Sequence, residues 1–383
     1  MKFILAPDSF KGALRSIEVC NALRRGIESA LPHAEIISIP LADGGEGSVE
    51  AICCAVKGQI HQVASYDPLG RPVEAIYGVS PKRDYAFMEL ASASGIELLD
   101  NSELNPLKTS TYGSGLVLKH LIEEGFRTVI IGLGGSATND CGAGLLQALG
   151  YKYFDRNNSL LPDGIAGGDL NKIQHIDNSE SIIGNITDLR LIIAGDVTNP
   201  LLGENGATAV FAPQKGATPE MLKILEDNLR HFAEIAARDL ELDDFTTTFP
   251  GDGAAGGSGF ALRGILGAER NSGGELILKL ADFDRKCQGA QCVITGEGAS
   301  DSQTAHGKLC AVVAAAARKR QVPAILLSGK INDESGALAQ TFTGGVFSIA
   351  AGPGDLAAAI AATAGNLERM GRNIGLLAKG FSR

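Results

Sequence analysis

The sequence has no long apolar segment and no excess of positive charge. Its apolar runs are all shorter than the roughly 18 residues of a membrane-spanning helix, and the opening MKFILAPDSF is too short for a signal-peptide core. Lys and Arg number 34 against 44 Asp and Glu, which gives a formal net charge of −10. Nucleic acids and anionic membranes require basic binding surfaces, so we expect neither as a partner. Because we find no targeting segment, we expect a cytoplasmic protein.

Several familiar metal and nucleotide motifs are also missing. The seven cysteines form no CxxC pair, which argues against a zinc site and favours a reducing compartment. Neither Gly307-Lys308 nor Gly329-Lys330 has the upstream glycine and the following Ser or Thr of a Walker A loop. No HRD and DFG set is present, so the protein-kinase scheme is excluded. Among the histidines, which lack metal-binding spacing, His306 alone falls in a candidate loop.

The apolar runs divide the chain into two kinds of pattern. The first sixty residues alternate strand and helix, with helices predicted over 16–30 and 45–56, and the last hundred residues do the same. Together these ends could supply five parallel strands. The segment QIHQVASYDPLGRPVEAIYGVSPKRDYAFMEL reads instead as an antiparallel meander. We therefore predict an α/β protein with a doubly wound sheet from 1–59 and 287–383, an inserted mixed α/β domain over 60–286, and an active site in the cleft between them.

Polar residues follow most of the predicted strands, where open parallel sheets bind ligands. They are Asp8, Ser9 and Lys11; Asp43 and Glu46; Ser136, Asn139 and Asp140; Asp196 and Asn199; Gln214 and Lys215; and Glu297, Asp301 and Lys308. Any single Asp or Ser in such a place is most often a helix cap. Six loops that combine carboxylates, lysines and glycine amides are what phosphoryl transfer requires, because that reaction depends on positioning and charge neutralisation.

The stretch VIIGLGGSATND offers a different interpretation. Gly132, Gly134 and Ala137 spell G-x-G-x-x-A after a strand, and Asp155 follows at the distance of a ribose-binding acid, so an NAD-linked oxidoreductase is an alternative. The polar residues that follow the glycines are unlike the small apolar ones of a dinucleotide turn, and Asp140 would repel a pyrophosphate. A sensor that binds an organic acid is a further alternative, which the number of carboxylates disfavours.

Eight motifs in order closely resemble the bacterial class I glycerate kinase family. They are APDSFKG, PLADGGEG, DPLGRPV, TSTYGSG, GLGGSATNDCGAGLLQALG, GDVTNPLLGENGATAVFAPQKGA, PGDGAAGGSGFAL and VITGEGASDSQTAHGK, and they cover essentially the whole chain. The resemblance implies a Rossmann-like or flavodoxin-like domain with an inserted α/β domain. It also implies ATP-dependent phosphorylation of D-glycerate to 2-phosphoglycerate in glyoxylate or sugar-diacid breakdown, with a glycerate 3-kinase as the alternative. Asp252, Ser258 and Ala299 depart from the motifs expected for the family.

The chemistry of these residues suggests a role for each, as hypotheses. We expect Lys11 to contact the γ-phosphate of ATP and Asp196 to take the proton of the glycerate hydroxyl. Glu297 and Asp301 could hold Mg²⁺ from one loop. The other phosphate- or nucleotide-binding candidates are Ser9, Gly134, Gly135, Ser136, Lys215 and Lys308, and the substrate-binding candidates are Asp8, Arg71, Asn139, Asp140, Asn199 and Gln214. Arg71 or Lys215 could clamp the glycerate carboxylate. A homo-oligomer is left open.

Overall fold

The structure, a computed structural model, describes residues 1–42, 44–184, 186–243, 245–305, 308–352 and 354–381. The chain forms two compact units. Unit 1 comprises Met1–Asp43, Glu50–Gly58 and Gly273–Arg383, and unit 2 comprises Gly44–Val49 and Gln59–Ser272.

The strands and helices are numbered along the chain. Within the described residues the strands are β1 (Lys2–Leu5), β2 (Glu35–Ser38), β3 (Gln59–Tyr66), β4 (Pro72–Val79), β5 (Ala86–Glu89), β6 (Thr128–Gly132), β7 (Lys152–Phe154), β8 (His175–Asp177), β9 (Arg190–Ala194), β10 (Glu269–Asn271), β11 (Cys292–Asp301), β12 (Ala324–Asn332) and β13 (Gly345–Ser348). The helices are α1 (Ser16–Ala30), α2 (Ser48–Val56), α3 (Ala91–Ser94), α4 (Tyr112–Glu123), α5 (Ala143–Ala148), α6 (Ala207–Phe211), α7 (Pro219–Asp239), α8 (Ser258–Phe260), α9 (Gly273–Leu280), α10 (Phe283–Lys286), α11 (Leu309–Lys319), α12 (Ala337–Thr341), α13 (Leu356–Ala361) and α14 (Thr363–Phe381). None of these described helices combines the length and apolar character needed to cross a membrane.

The sheet of unit 1 contains five described strands, all parallel, in the order β13-β12-β11-β1-β2. Helix α1 covers this sheet because its apolar residues Val19, Leu23 and Ile27 recur every four positions and are all buried. The expected parallel α/β sheet built from both chain ends is confirmed. Its register aligns Leu5 with Ile294, so the loop after β1 emerges beside the carboxyl half of the long strand β11.

The larger sheet of unit 2 has six described strands in the order β10-β9-β6-β5-β4-β3, and β7 pairs antiparallel with β8 in a second sheet. Strands β3, β4 and β5 form the expected antiparallel meander, whereas β5, β6, β9 and β10 run parallel. Glu89, Gly132 and Ala194 are in register at the ends of β5, β6 and β9. The loops that follow these strands therefore leave the sheet at one edge.

The division into units differs from the sequence boundaries in two short segments. Residues 273–286, expected in the inserted domain, belong to unit 1, where a Cβ on Gly274 would contact the Leu309 side chain of α11 and Lys286 Nζ donates to the carbonyl of Ala55. Residues 44–49, expected with the chain ends, belong to unit 2, where the Gly44 carbonyl accepts the amide of Gly134. Contacts with residues distant along the chain, rather than the helix and strand pattern, place both segments.

Candidate active site

In unit 1, the loop after β1 lies against the carboxyl half of β11. The Asp8 amide donates to the Gly296 carbonyl at 2.9 Å, and the Asp8 carboxylate accepts the Ser9 amide at 2.6 Å. Lys11 is exposed, and its backbone nitrogen lies 3.5 Å from the position that a Cβ on Gly298 would occupy. The structure thus brings Asp8, Ser9 and Lys11 beside the strand that carries Glu297.

Glu297 and Asp301 are connected through Thr304. The Thr304 hydroxyl donates to Glu297 Oε1 at 2.7 Å, and the Thr304 amide donates to Asp301 Oδ1 at 3.3 Å. Lys308 Nζ lies 3.6 Å from Asp301 Oδ1. No group of three His, Cys, Asp or Glu that could hold a metal occurs among the described residues. Mg²⁺ is commonly held by one or two carboxylates together with substrate phosphates, so the carboxylates of Glu297 and Asp301 are of the kind that fits that ion.

In unit 2, Glu89 is a residue that sequence reasoning missed. It is 3% exposed, and its carboxylate accepts the amide of Gly47 at 3.3 Å and that of Val49 at 3.0 Å. A carboxylate at a helix start satisfies amides that lack partners within the helix, and Glu89 accepts such amides from Gly47 and Val49. The sequence feature that could have identified Glu89 is its place as an acid at the end of the apolar run YAFMEL. A carboxylate buried at such a place requires hydrogen-bond partners.

The glycines of the GLGGSA loop are used for backbone packing. Gly134 donates its amide to the Gly44 carbonyl at 2.8 Å, and a Cβ on Gly134 would lie 2.6 Å from the Gly45 Cα. The Gly134 amide is therefore occupied and does not fit the expected phosphate contact, whereas Gly135 is exposed. Helix α5 begins only at residue 143, and the Asp155 carboxylate binds amides of its own turn. These contacts do not form a dinucleotide site, and that interpretation is wrong.

Lys215 is buried behind Ser136. It ends a short 3₁₀ helix, is 2% exposed, and its Nζ donates to Ser136 Oγ at 3.0 Å and to the Thr138 carbonyl at 2.7 Å. Burial lowers the pKa of Lys215 to about 7, and the charge of Asp140 partly opposes this. Ser136 itself is 6% exposed. Lys215 therefore does not reach a glycerate carboxylate directly, as the sequence suggested, but contacts the hydroxyl in front of it.

Asp140 has a structural role instead of the expected contact with substrate. It is 0% exposed, and its carboxylate accepts the Thr111 amide at 2.8 Å, the Thr111 hydroxyl at 2.7 Å, and the amides of Gly142 and Gly144 at 3.2 and 3.3 Å. Burial raises its pKa, and these donors act in the opposite direction. Asn139 is also 0% exposed and donates to Thr208 Oγ1 at 3.2 Å. Neither side chain has surface for a substrate to touch.

The loop after β9 carries the expected base. Asp196 is exposed two residues beyond the end of β9, and Arg270 donates to the carbonyl of the next residue, Val197. Asn199 Nδ2 donates to the Asn205 carbonyl at 2.8 Å, so that amide stabilises its own loop. Gln214 is exposed immediately before Lys215. Of these three residues, Asp196 and Gln214 have the exposure that contact with a substrate requires.

The glycine-rich segment PGDGAAGGSG is a packed part of unit 2. A Cβ on Gly256 would lie 2.0 Å from the Thr138 carbonyl oxygen, which only a glycine can tolerate. Asp252, 1% exposed, forms a bidentate ion pair with Arg263 at 2.7 Å for both contacts, and the Arg263 guanidinium lies 3.9 Å from the centre of the Phe249 ring. This ion pair supplies a structural partner for the unexpected aspartate of the motif.

Arg71 is committed to neighbouring acids. Its guanidinium donates to Asp67 at 2.5 Å, to both Glu103 oxygens at 2.7 and 3.2 Å, and to the Leu98 carbonyl at 3.3 Å. The expected clamp on a glycerate carboxylate is therefore not supported, because the donors of that clamp already bind protein oxygens. Asp43 and His306, two further candidates from the sequence, lie outside the described residues.

Relatives match nearly the entire chain. The sequence model of a family described as the glycerate kinase family matches residues 3–379. The chain is 41% identical to the glycerate 2-kinase of Escherichia coli (strain K12) and 42% identical to the glycerate kinase of Bacillus subtilis (strain 168), each over 374 residues, 98% of this chain and 97% of the relative. A crystal structure from Salmonella typhimurium LT2, provisionally named glycerate kinase 2, matches with a TM-score of 0.85 and 39% identity, covering 100% of this chain and 99% of that one.

Proposed function

Because the chain belongs to the glycerate kinase family, we propose that it transfers the γ-phosphoryl group of ATP to the 2-hydroxyl of D-glycerate, giving 2-phospho-D-glycerate and ADP. It is a kinase, and ATP is its co-substrate. The observation that carries the proposal is the full-length similarity to relatives named glycerate kinase and glycerate 2-kinase. We place the reaction in glyoxylate or sugar-diacid breakdown in the cytoplasm. Phosphorylation of the 3-hydroxyl is the alternative.

The loops of unit 1 are proposed to bind the phosphates of ATP. Lys11 is exposed beside Gly298, and Lys308 lies next to Asp301, so both can neutralise phosphate charge. Ser9 supplies a hydroxyl in the same loop as Lys11. Glu297 and Asp301 would hold Mg²⁺, which when bound would neutralise charge on the phosphate oxygens.

The loops of unit 2 are proposed to act on the acceptor. Asp196 takes the proton of the 2-hydroxyl as that oxygen bonds to the γ-phosphorus, and the bond from phosphorus to the bridging oxygen breaks with its electron pair leaving on ADP. Ser136 donates a hydrogen bond to an anionic oxygen. The exposed Gly135 precedes Ser136 in the chain, and the exposed Gln214 precedes Lys215. Support for this assignment comes from Asp196 and Ser136, which follow neighbouring parallel strands in register at Ala194 and Gly132.

Phosphorus NMR of the protein with Mg·ATP and D-glycerate tests the reaction. We expect a new phosphomonoester resonance split by the single proton on carbon 2. A resonance coupled to two methylene protons would move the phosphate to carbon 3. An unchanged ATP spectrum would refute the kinase.

Two variants test the proposed roles. Lys11→Met should abolish turnover with an unchanged melting temperature, because it removes the cation for the γ-phosphate. Asp196→Asn should retain glycerate binding and lose the chemical step. Lys223→Met is the matched control, because Lys223 is exposed on α7 and pairs only with Asp227 among the contacts described for it. Full kcat in either test variant would move that role to another residue.

A further inference from the structure

A buried lysine is costly to fold unless its charge is compensated, yet Lys215 has only polar neutral groups as direct acceptors in the described contacts. Its Nζ lies 3.0 Å from Ser136 Oγ and 2.7 Å from the Thr138 carbonyl oxygen. The nearest influence of opposite charge comes from Asp140, which is itself engaged with Thr111, Gly142 and Gly144. Stability alone would be better served by an apolar side chain here.

The arrangement constrains the direction of the Ser136 hydroxyl. An ammonium group has three hydrogens and no acceptor, so Ser136 Oγ can only accept from a charged Lys215. The Ser136 hydrogen must then point to another partner. Ser136 retains 6% of its surface, whereas Lys215 retains 2%, so Ser136 is the more accessible residue of the pair.

We propose that Lys215 is a positioning residue that holds the Ser136 hydroxyl with its hydrogen directed at an anionic oxygen of a bound substrate. The inference rests on the proposed function, since the anion is either the glycerate carboxylate or a phosphate of ATP. Lys215 acts through Ser136 and does not touch the substrate.

The charge of Lys215 makes this arrangement dependent on pH. Its pKa is about 7, because burial lowers it and Asp140 only partly opposes the effect. Asp140 is the charged group that acts on Lys215 among the described residues, and its hydrogen bonds hold it in place. A neutral amine has a lone pair, so above this pH the Ser136 hydrogen can turn inward. Substrate affinity should therefore fall as pH rises through 7.

Binding measured by calorimetry at pH 6 and pH 8 tests the proposal, with D-glycerate and ATP titrated separately. A group with a pKa of about 7 loses about nine-tenths of its protons over that interval, so the Kd of one substrate should rise by about three- to tenfold. A rise for glycerate identifies the carboxylate as the anion, and a rise for ATP identifies a phosphate. Ser136→Ala should bind that substrate more weakly and with the same Kd at both pH values.

Lys215→Arg is the conservative rescue, because arginine stays charged and should keep the low Kd at both pH values. Far-UV circular dichroism checks that this variant folds, and Ser136→Ala carries the test if it does not. Lys223→Met, at an exposed position, should reproduce the wild-type pattern. A wild-type Kd that is the same at both pH values for both substrates, or a rise that persists in Ser136→Ala, would overturn the proposal. Product formation is followed separately by phosphorus NMR. The expected dependence of Kd on pH without any product would refute the kinase reaction but not the role of Lys215. If neither substrate binds, both the kinase reaction and the role of Lys215 are refuted.

Discussion

Replacing Asp140 by alanine should destabilise unit 2 by about 3–5 kcal/mol. The change removes the acceptor for the Thr111 amide and hydroxyl and for the amides of Gly142 and Gly144. The Thr111 hydroxyl also accepts the Leu145 amide at 2.9 Å, so the carboxylate joins the starts of α4 and α5. Each buried donor left without a partner costs about 1–3 kcal/mol, and the loss is partly offset because a buried carboxylate is no longer desolvated.

Asp140→Asn should cost less, about 1–2 kcal/mol. One amide oxygen can still accept the donors that Oδ2 accepts now, whereas the amide nitrogen opposes the Gly142 N–H. We therefore expect Asp140→Ala to be the least stable protein, Asp140→Asn to be intermediate and wild type to be the most stable. Asp188→Asn is the control, because Asp188 is 72% exposed and 3.4 Å from Arg127, and it should change stability by no more than about 0.5 kcal/mol.

Urea unfolding followed by far-UV circular dichroism measures these differences, since the chain has no tryptophan to report by fluorescence. Two compact units need not unfold together, so the transition that shifts should be assigned to unit 2 by limited proteolysis. If Asp140→Ala is no less stable than the Asp188 control but binds glycerate more weakly, the carboxylate contacts substrate after all and the structural assignment is refuted.

Three more changes test the described contacts. Folding lowers the pKa of Lys215 from 10.5 to about 7, so the folded state loses stability relative to the unfolded state as pH falls from 9 to 7. Between pH 7 and pH 9 the free energy of unfolding of wild type, measured with urea, should therefore rise by about 2 kcal/mol more than that of Lys215→Met. The same pH dependence of the unfolding free energy in both proteins would contradict this. Arg71→Ala should leave the Kd for glycerate, measured by calorimetry, unchanged, because the donors of Arg71 already bind Glu103 and Asp67. Weaker binding of glycerate would support Arg71 as a ligand of the glycerate carboxylate. Asp252→Ala should cost about 3–5 kcal/mol, because it removes the buried carboxylate that accepts two hydrogen bonds from Arg263; a cost below about 1 kcal/mol would argue against that.

Regular elements were predictable where side-chain periodicity decides them. Helix α1 has the bounds expected from the sequence, 16–30, because its apolar spacing selects one face. Helix α2 begins at Ser48 rather than residue 45, because Glu89 and the sheet edge hold the preceding glycines in a loop.

The sequence by itself determined the α/β class, the order of strands and helices, and the family, because apolar spacing and ordered motifs are local properties of the chain. Only the tertiary structure decided which polar residues are available for chemistry. Arg71 and Asp140 look like substrate ligands in the sequence, yet partners distant along the chain satisfy both. Lys215 lies 79 residues from Ser136 and meets it only through folding. A buried polar group takes its role from its hydrogen-bond partners, and long-range packing chooses those partners.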